Sequence, residues 1–394
     1  MLAPLQSLKE GNWFKLICGA SFQHLPAVRN LTLAYTLAGA DCIDVAADPA
    51  VIAAAKEALE VALNFAPEAA RRGFGKRETS PFLMVSLNDG EDPHFRKAGF
   101  NATQCPSECY RPCEGICPAQ AIVFDNRQNN YSGVIEDKCY GCGRCLPACP
   151  YDIIYTRDYV STPGAIESLV ISTGVDAVEI HTRVGRVAEF ERLWRTISPW
   201  IGRLKLVSVS CPDGEGMIDY LRGLYDQISP VHKNALIWQT DGRPMSGDIG
   251  DGATGPAIRL GQKVLAAQLP GYVQLAGGTN DYTAIKLRSV GLLNEWKGEG
   301  SKEVLKDLGL ENTNSKFKMP NSQFKISGVA YGSYARVLLS PILDKLEKRE
   351  VNNTEIQTTI LRLEDEPELL WQAVELAFKL ISPLKSRGRV KKNV

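Results

Sequence analysis

A chain of 394 residues, 44% of them hydrophobic and 23% charged, can bury a large core, so we expect one large domain or two of moderate size. Forty-five basic residues balance forty-five acidic ones, and no overall positive field favours nucleic acid as a partner. The N-terminus lacks a signal-peptide pattern and no stretch approaches the roughly 18 apolar residues of a membrane span, so we expect a cytoplasmic protein.

Eight short apolar runs bounded by turn residues are predicted as strands, and a segment with helical periodicity follows each of them. The predicted strands are 14–18, 42–47, 82–87, 177–182, 204–210, 235–240, 272–276 and 326–331. Strands that alternate with helices form right-handed βαβ units. Eight such units predict an α/β fold, a closed (β/α)8 TIM-like barrel, more than an open doubly wound sheet.

Three dipeptides with a polar residue before proline are typical of helix N-termini. They are Asp48-Pro49, Thr162-Pro163 and Ser340-Pro341. Residues 365–384 have the apolar spacing of an amphipathic helix, which we expect to pack on the barrel. The polar connection 292–325 is predicted to be a surface excursion, and the basic tail 385–394 a solvated end.

The alternation of strands and helices breaks after the third predicted strand, in a segment that holds eight of the eleven cysteines. This pattern predicts a small α+β domain inserted into a loop at the barrel end where active sites lie. The predicted domains are the first part of the barrel at 1–90, the insert at 91–160, the remainder of the barrel at 161–349, and a C-terminal helix and basic tail at 350–394.

The segment CYGCGRCLPACP, residues 139–150, has the spacing C-x2-C-x2-C-x3-C followed by proline. Cysteines separated by two residues can curl the backbone around one face of an iron–sulfur cube. The upstream run CPSECYRPCEGICP, residues 105–118, has one extra residue in each of its first two gaps. The candidate ligands are Cys105, Cys109, Cys113, Cys117, Cys139, Cys142, Cys145 and Cys149.

The two cysteine runs together resemble the bacterial two-cluster ferredoxins, in which a run gives three cysteines to one cluster and its fourth to the other. The resemblance implies two clusters, most simply both [4Fe–4S]. It assigns to the first cluster Cys105, Cys109, Cys113 and Cys149. It assigns to the second cluster Cys139, Cys142, Cys145 and Cys117. The looser upstream spacing leaves open an incomplete, labile or [3Fe–4S] first cluster.

Zinc is the alternative ligand for four cysteines, but zinc sites typically use two C-x2-4-C knuckles separated by a longer span. Disulfides are not expected in a large chain without a secretion signal. The remaining cysteines, Cys18, Cys42 and Cys211, lie within or at the end of apolar runs, and we expect them to be small buried hydrophobes.

Two further groups of residues are candidates at the barrel mouth. Gly277 and Gly278 follow the seventh predicted strand, and Gly332 and Ser333 follow the eighth. In many barrels these two loops bind phosphate, including that of FMN, although glycines at strand ends are also ordinary turn residues. The second group is Glu179 and His181 on the fourth predicted strand, which face the same side and are either acid/base groups or a structural network.

Four segments together resemble the cyanobacterial light-dependent period (LdpA) family over nearly the whole chain. They are CYGCGRCLPACPYDIIYT, VEIHTRVGR, GRPMSGDIGDGATGPAIRLGQ and VAYGSYAR. The resemblance implies an iron–sulfur redox sensor in circadian clock input, which reports redox state to clock input and oscillator proteins rather than turning over a known metabolite.

Two other function classes compete with the sensor. One is a flavin-linked oxidoreductase, in which the ferredoxin-like insert feeds electrons to a cofactor at the barrel mouth. The other is a simple electron carrier, which leaves most of the barrel without a role.

Overall fold

The computed structural model describes residues 3–18, 25–75, 80–90, 96–117, 120–125, 131–135, 139, 145–158, 173–242, 252–293, 325–352 and 362–385. The strands in these ranges are β1 (Trp13–Ile17), β2 (Cys42–Ala46), β3 (Phe82–Asn88), β4 (Arg96–Gly99), β5 (Ile122–Val123), β6 (Gly133–Val134), β7 (Tyr155–Asp158), β8 (Ala177–His181), β9 (Leu206–Pro212), β10 (Ala235–Asp241), β11 (Tyr272–Ala276) and β12 (Gly328–Tyr331).

The α-helices in the same ranges are α1 (Ala3–Glu10), α2 (Leu25–Ala38), α3 (Pro49–Arg71), α4 (Pro112–Gly115), α5 (Cys145–Ala148), α6 (Val187–Ile197), α7 (Met217–Ile228), α8 (Thr254–Ala266), α9 (Tyr282–Ser289), α10 (Ser333–Asn352) and α11 (Pro367–Ile381). Short 3-10 helices occur at Ala102–Gln104, Ser198–Arg203 and Leu363–Asp365. None of the helices in the described part of the chain has the length and apolar character needed to cross a membrane.

Eight parallel strands close into a barrel in the order β1-β12-β11-β10-β9-β8-β3-β2. All eight predicted strands are confirmed, with ends that differ from the prediction by no more than two residues. Because β3 pairs directly with β8, with Ser86 opposite Glu179, the chain between them leaves the barrel and returns to the neighbouring strand. The predicted (β/α)8 barrel with an insertion after its third strand is therefore confirmed.

The insert has its own small sheets and its own core. Its first strand, β4, pairs antiparallel with its last, β7, while β5 pairs with β6. Its buried core contains Ala98, Ala121, Ile122, Val134, Ile154 and four cysteines. The predicted domain boundaries at 91 and 160 fall outside the described residues, and residue 350 lies inside α10. Those boundaries stay a prediction.

The predicted helix starts have three different outcomes. Asp48 caps α3 as expected, because its Oδ1 accepts a hydrogen bond of 2.8 Å from the N–H of Ala50. Thr162-Pro163 lies outside the described residues.

The start at Ser340-Pro341 is wrong, since α10 begins at Ser333 and runs through Pro341. The proline removes the bond to the carbonyl of Val337, but Val337 is 56% exposed, so water can satisfy that carbonyl. Ser340 donates its hydroxyl to the carbonyl of Arg336 within the helix instead of capping a new one.

The C-terminal amphipathic helix packs on the barrel, as predicted. It buries Leu370, Val374, Ala377 and Ile381 against α2 and α10. The Trp371 ring stacks on Phe74, which follows α3, with 6.2 Å between ring centroids. Residues 294–324 of the predicted polar connection lie outside the described residues, and so do residues 386–394 of the predicted basic tail.

Candidate metal centre and polar barrel centre

Cysteines from both runs lie in one core inside the insert. Cys113 of the upstream run and Cys139, Cys145 and Cys149 of the downstream run are all buried there, and Cys117 packs against them. Cys105 and Cys109 are half-buried at the edge. Cys142, the remaining predicted ligand, lies outside the described residues.

Cys149 lies among the upstream thiols rather than only beside its own run. Burial raises the pKa of the Cys113 thiol, and the charge of Cys149 raises it further. Burial also raises the pKa of Cys105, and Cys109 and Cys149 both add to this shift. The thiols of Cys105, Cys113 and Cys149 are therefore close enough to repel one another as anions. Positive charge from iron is what would make such a cluster of thiolates stable.

Backbone N–H groups point at three of the sulfurs. Ala98 donates to Cys139 Sγ at 3.4 Å, Arg111 to Cys109 Sγ at 3.4 Å, and Ala121 to Cys117 Sγ at 3.3 Å. Such hydrogen bonds, together with an apolar core, are the features that stabilise a cluster and set its potential. Among the described residues, no three Cys, His, Asp or Glu side chains converge on a single-ion site. The donor set fits iron–sulfur clusters, which would supply one-electron chemistry.

The three free cysteines outside the insert are buried in the barrel core, as predicted. Cys18, Cys42 and Cys211 are each no more than 2% exposed. Burial raises the pKa of Cys211 to about 12, so this thiol is protonated at neutral pH. These residues are part of the packing and not of the candidate metal centre.

A second polar cluster fills the middle of the barrel, where Lys15 is fully buried. Its Nζ forms ion pairs with Glu179 and with Asp44, the latter at 2.8 Å, and donates to Gln239 Oε1 at 3.0 Å. Burial alone would lower the pKa of the ammonium, but the two carboxylates outweigh burial and raise it. Lys15 therefore stays charged.

Glu179 is the most fully bonded carboxylate of this cluster. Besides Lys15, it accepts hydrogen bonds from Ser208 at 3.0 Å and from Gln239 Nε2 at 2.6 Å. Burial raises its pKa, but the attraction of Lys15 and His181 prevails and the pKa is lowered. Glu179 is therefore ionised at neutral pH.

His181 links this buried carboxylate to the barrel mouth. Its Nε2 lies 3.2 Å from Glu179 Oε1 and 3.3 Å from Ser86 Oγ, and its side chain is 33% exposed. Ser86 donates its own proton to Asp44 at 2.8 Å, so both neighbours of Nε2 act as acceptors. It follows that Nε2 carries a proton and donates it toward these acceptors.

Asp241 is the third carboxylate of the interior and lies at the end of β10. It accepts a hydrogen bond from the Ser210 hydroxyl. Burial raises its pKa, and the repulsion of Glu179 adds to this, while His181 and Ser210 act in the opposite direction. Unlike Glu179, Asp241 has no ion-pair partner among the residues that the structure describes.

A group of hydrogen-bonded polar side chains lies where β3 and β8 end. Asp89 accepts hydrogen bonds from Thr182 and from Arg186, the latter at 3.0 Å, and Thr182 also contacts the Tyr220 hydroxyl. On the other side, Lys97 of β4 pairs with Asp48 at 3.3 Å. Lys97 thus ties the first strand of the insert to the barrel.

The predicted phosphate loops lie side by side, because β11 and β12 are neighbours. Gly277 and Gly278 have positive φ values of 66° and 84°, which favour glycine at both positions. Ser333 lies one residue after Gly332 and accepts a hydrogen bond of 2.9 Å from Arg336. These observations do not test phosphate binding at the two loops, which stays a prediction.

Six members of the polar barrel centre were not predicted from the sequence. They are Lys15, Asp44, Ser208, Gln239, Asp241 and Gln274. The available signal was a single polar residue at an inward position of an otherwise apolar strand, as in FKLIC, CIDVAA and YVQLA.

Two family models match the chain. One describes the LdpA Fe-S cluster-binding domain and matches residues 105–160, and the other describes the light dependent period A C-terminal domain and matches residues 169–383. The chain is also 33% identical, over 66 residues, to the electron transport protein HydN of Escherichia coli; the match covers 16% of this chain and 36% of that protein. Fold and site therefore define an iron–sulfur protein built on a closed (β/α)8 barrel.

A match over nearly the whole chain is to light dependent period A of Synechococcus elongatus, at 42% identity over 382 residues, which cover 97% of this chain and 94% of that protein. The chain belongs to the light dependent period A family, and the resemblance inferred from its segments is confirmed. Among solved structures, the tryptophan synthase alpha chain of Legionella pneumophila matches 99% of both chains at 12% identity, with a TM-score of 0.39.

Proposed function

We propose that this protein is a redox sensor in circadian clock input. It holds two [4Fe–4S] clusters and reports the redox state of the cytoplasm to clock input and oscillator proteins. Membership of the light dependent period A family supports the clock context. The observation that carries the sensing role is the shared cysteine core, in which Cys149 lies with Cys105 and Cys113. That arrangement favours crossed ligation, in which a change at one cluster disturbs the other.

The upstream site has the properties that a sensor needs. Cluster potentials span roughly −700 to +450 mV, depending on ligands, hydrogen bonds and solvent exposure. Cys105 and Cys109 lie at the edge of the core, whereas all described cysteines of the downstream run are buried. A more exposed cluster in a looser loop is easier to oxidise, and its loss changes local charge and loop order in a way that a partner can detect.

The test is anaerobic purification followed by iron and sulfide analysis, absorption and EPR. Two clusters predict about eight irons per chain. The amount of clock protein that co-purifies with this chain should then differ between reduced and oxidised samples. A variant with Cys105 and Cys109 both changed to serine should lose that difference. Stoichiometric zinc without visible absorption would contradict the clusters, and capture that ignores the redox state would contradict the sensor.

A flavin-linked oxidoreductase is the second candidate function. The positive-φ pair Gly277 and Gly278 next to the loop of Gly332 and Ser333 favours it, because a barrel could hold the phosphate of FMN there. A yellow chromophore released by denaturation, present once per chain, would support this candidate. A preparation with full iron content and no flavin would exclude it.

A further inference from the structure

The longer gap between Cys109 and Cys113 contains one residue in an unusual conformation. Arg111 has φ 55° and ψ 53°, in the left-handed region that residues other than glycine rarely adopt. The chain turns at this residue, and the N–H of Arg111 donates to Cys109 Sγ at 3.4 Å. Pro112 then begins α4, which carries Cys113 in the buried core of the insert. The left-handed turn at Arg111 thus absorbs the extra residue of this gap.

The side chain of Arg111 is held by two contacts. Its guanidinium carbon lies 4.2 Å from the centroid of the Phe124 ring, and Nη1 lies 3.7 Å from Asp125 Oδ2. Phe124 packs against the core that contains the cysteines and contacts Phe100, with 5.5 Å between ring centroids. A cation over the face of an aromatic ring is attracted by that ring. The positive charge is therefore held on a ring that packs on the cysteine core.

The acidic neighbours of Arg111 are more exposed to water than Arg111 itself. The side chain of Arg111 is 35% exposed and that of Asp125 is 73% exposed, so water screens the carboxylate more strongly than the guanidinium. Glu108 and Glu114, the acidic residues of the upstream run, are exposed as well. Burial raises the pKa of the Cys105 thiol, and the charge of Arg111 acts in the opposite direction. The upstream thiols therefore lie in the positive field of Arg111.

A fixed positive charge beside an iron–sulfur site changes its redox equilibrium. Reduction adds one electron and makes the site more negative, so a nearby cation stabilises the reduced state and raises the potential. The hydrogen bond from the N–H of Arg111 to Cys109 acts in the same direction, because it stabilises negative charge on the sulfur. The looser loop and greater exposure make the upstream site easier to oxidise, and Arg111 opposes this.

We propose that Arg111 sets the potential of the upstream cluster. Its backbone N–H holds the Cys109 sulfur, and its guanidinium, fixed by Phe124 and Asp125, stabilises the reduced state. Arg111 is a positioning residue in this role and not a ligand. The inference rests on the proposed function, since it needs the upstream cluster, and it names the residue that determines the ambient potential at which this cluster is oxidised.

Arg111→Gly separates the charge of the side chain from the backbone. Glycine adopts the left-handed conformation without strain and keeps the N–H that points at Cys109, so the loop is preserved while the charge is removed. Redox titration of the whole protein with one-electron mediators, followed by EPR, measures the potentials of both clusters. At a given applied potential, the ratio of reduced to oxidised upstream cluster should fall at least threefold, about 28 mV at about 59 mV per tenfold. The downstream potential should not change.

Two further variants show whether the charge at this position is the cause. Arg111→Lys keeps both the charge and the N–H, so it should restore most of the potential that Arg111→Gly loses. Arg195→Gln, at an exposed arginine paired with Glu191 on α6 of the barrel, removes one positive charge elsewhere and should leave both potentials unchanged. An upstream potential in Arg111→Gly equal to that of the wild type would overturn the proposal. So would an equal shift in Arg111→Lys and Arg111→Gly.

Iron analysis distinguishes a failure of this inference from a failure of the proposed function. About eight irons per wild-type chain, with an unchanged potential in Arg111→Gly, would refute the role of Arg111 and leave the two-cluster sensor standing. A wild-type protein without an upstream EPR signal would refute both. If Arg111→Gly does not assemble the upstream cluster, Phe124→Leu removes the ring that fixes the guanidinium and should lower the upstream potential. An unchanged potential in that variant would equally contradict the proposal.

Discussion

Lys15 is the residue on which the polar barrel centre depends. It is wholly buried and contacts Asp44, Glu179 and Gln239 at once. Removing one member of a buried ion-pair network costs far more than an exposed pair contributes, because the remaining charges have neither water nor a partner.

Lys15→Met keeps the length of the side chain and removes its charge. We expect the free energy of unfolding at pH 7 to fall by about 3–5 kcal/mol, because two carboxylates are left uncompensated. The deficit should shrink as the pH is lowered toward 4, since protonation of those carboxylates in the folded variant relieves it.

Urea denaturation of wild type and variant measures this change. Lys205→Met, at a partly exposed lysine 2.5 Å from Asp176, is the control and should cost less than about 1 kcal/mol. An equally small loss for Lys15→Met would contradict the expected role.

Cys117→Ala tests crossed ligation at the level of one residue. Cys117 belongs to the upstream run by sequence but packs against the core that contains Cys139 and Cys145. We expect EPR to show a damaged downstream cluster and an intact upstream one. Cys211→Ala, which removes a buried thiol outside the insert, should leave both signals unchanged. Loss of the upstream signal instead would reverse the ligand assignment.

At the scale of elements, the C-terminal helix is joined to the barrel by an ion pair. Glu364, just before α11, accepts hydrogen bonds from both terminal nitrogens of Arg29 on α2, that from Nη1 at 2.8 Å. Burial would raise the pKa of Glu364, but these hydrogen bonds and the charge of Arg29 lower it. A carboxyl group whose pKa is lower in the folded than in the unfolded state stabilises the protein at pH values above its unfolded-state pKa. This stabilisation is lost as the pH falls through the folded-state pKa.

Glu364→Gln should therefore cost about 1–2 kcal/mol at pH 7, where the wild-type carboxylate is ionised. The difference from wild type should diminish as the pH falls below about 4.5, because the wild-type group then takes up a proton. Denaturation curves between pH 3 and pH 7 measure this. Glu368→Gln, on the exposed face of the same helix, provides the control. A difference that stays constant with pH would show that Arg29 does not act through charge.

Helices and strands could be predicted where the local sequence alone determines the backbone conformation. Runs such as FKLIC and YVQLA are apolar for the length of one strand, and Asp48-Pro49 combines a capping oxygen with a fixed φ. At Ser340-Pro341 the same local pattern is misleading, because α10 already holds these residues by packing on the barrel. Pattern alone cannot distinguish a helix start from a proline inside a long helix.

For the whole molecule, the barrel and an iron–sulfur-binding domain were predictable, but the polar barrel centre was not. Each barrel strand is a short apolar run that can be recognised in the local sequence. The cysteine spacing in 139–150 is by itself typical of an iron–sulfur ligand run. Lys15 and Glu179, in contrast, are 164 residues apart, and only closure of the eight-stranded sheet brings them together. A single charged residue within an apolar run gives no indication of which distant residue will neutralise it.

The ion pair of Lys97 with Asp48 joins the first strand of the insert to the barrel, and Asp89 pairs with Arg186 at the end of β3, where the insert begins. A change at the start of the insert is therefore expected to reach the barrel through Lys97 and Asp48. Loss of the upstream cluster frees Cys105 at the start of the cysteine region and Cys149 at its end. Both ends of the insert would then loosen together.

Titration with oxidant tests this order of events. The first two upstream loops each close over one more residue, and a longer loop loses more entropy when it closes, so the upstream cluster should bleach first. Hydrogen exchange in residues 100–160 should rise as its EPR signal disappears, while exchange in β9 and β10 stays constant as the internal control. Bleaching of the downstream cluster first would contradict the proposed sensor. So would unchanged exchange in the insert, because a partner would then have no redox-dependent surface to bind.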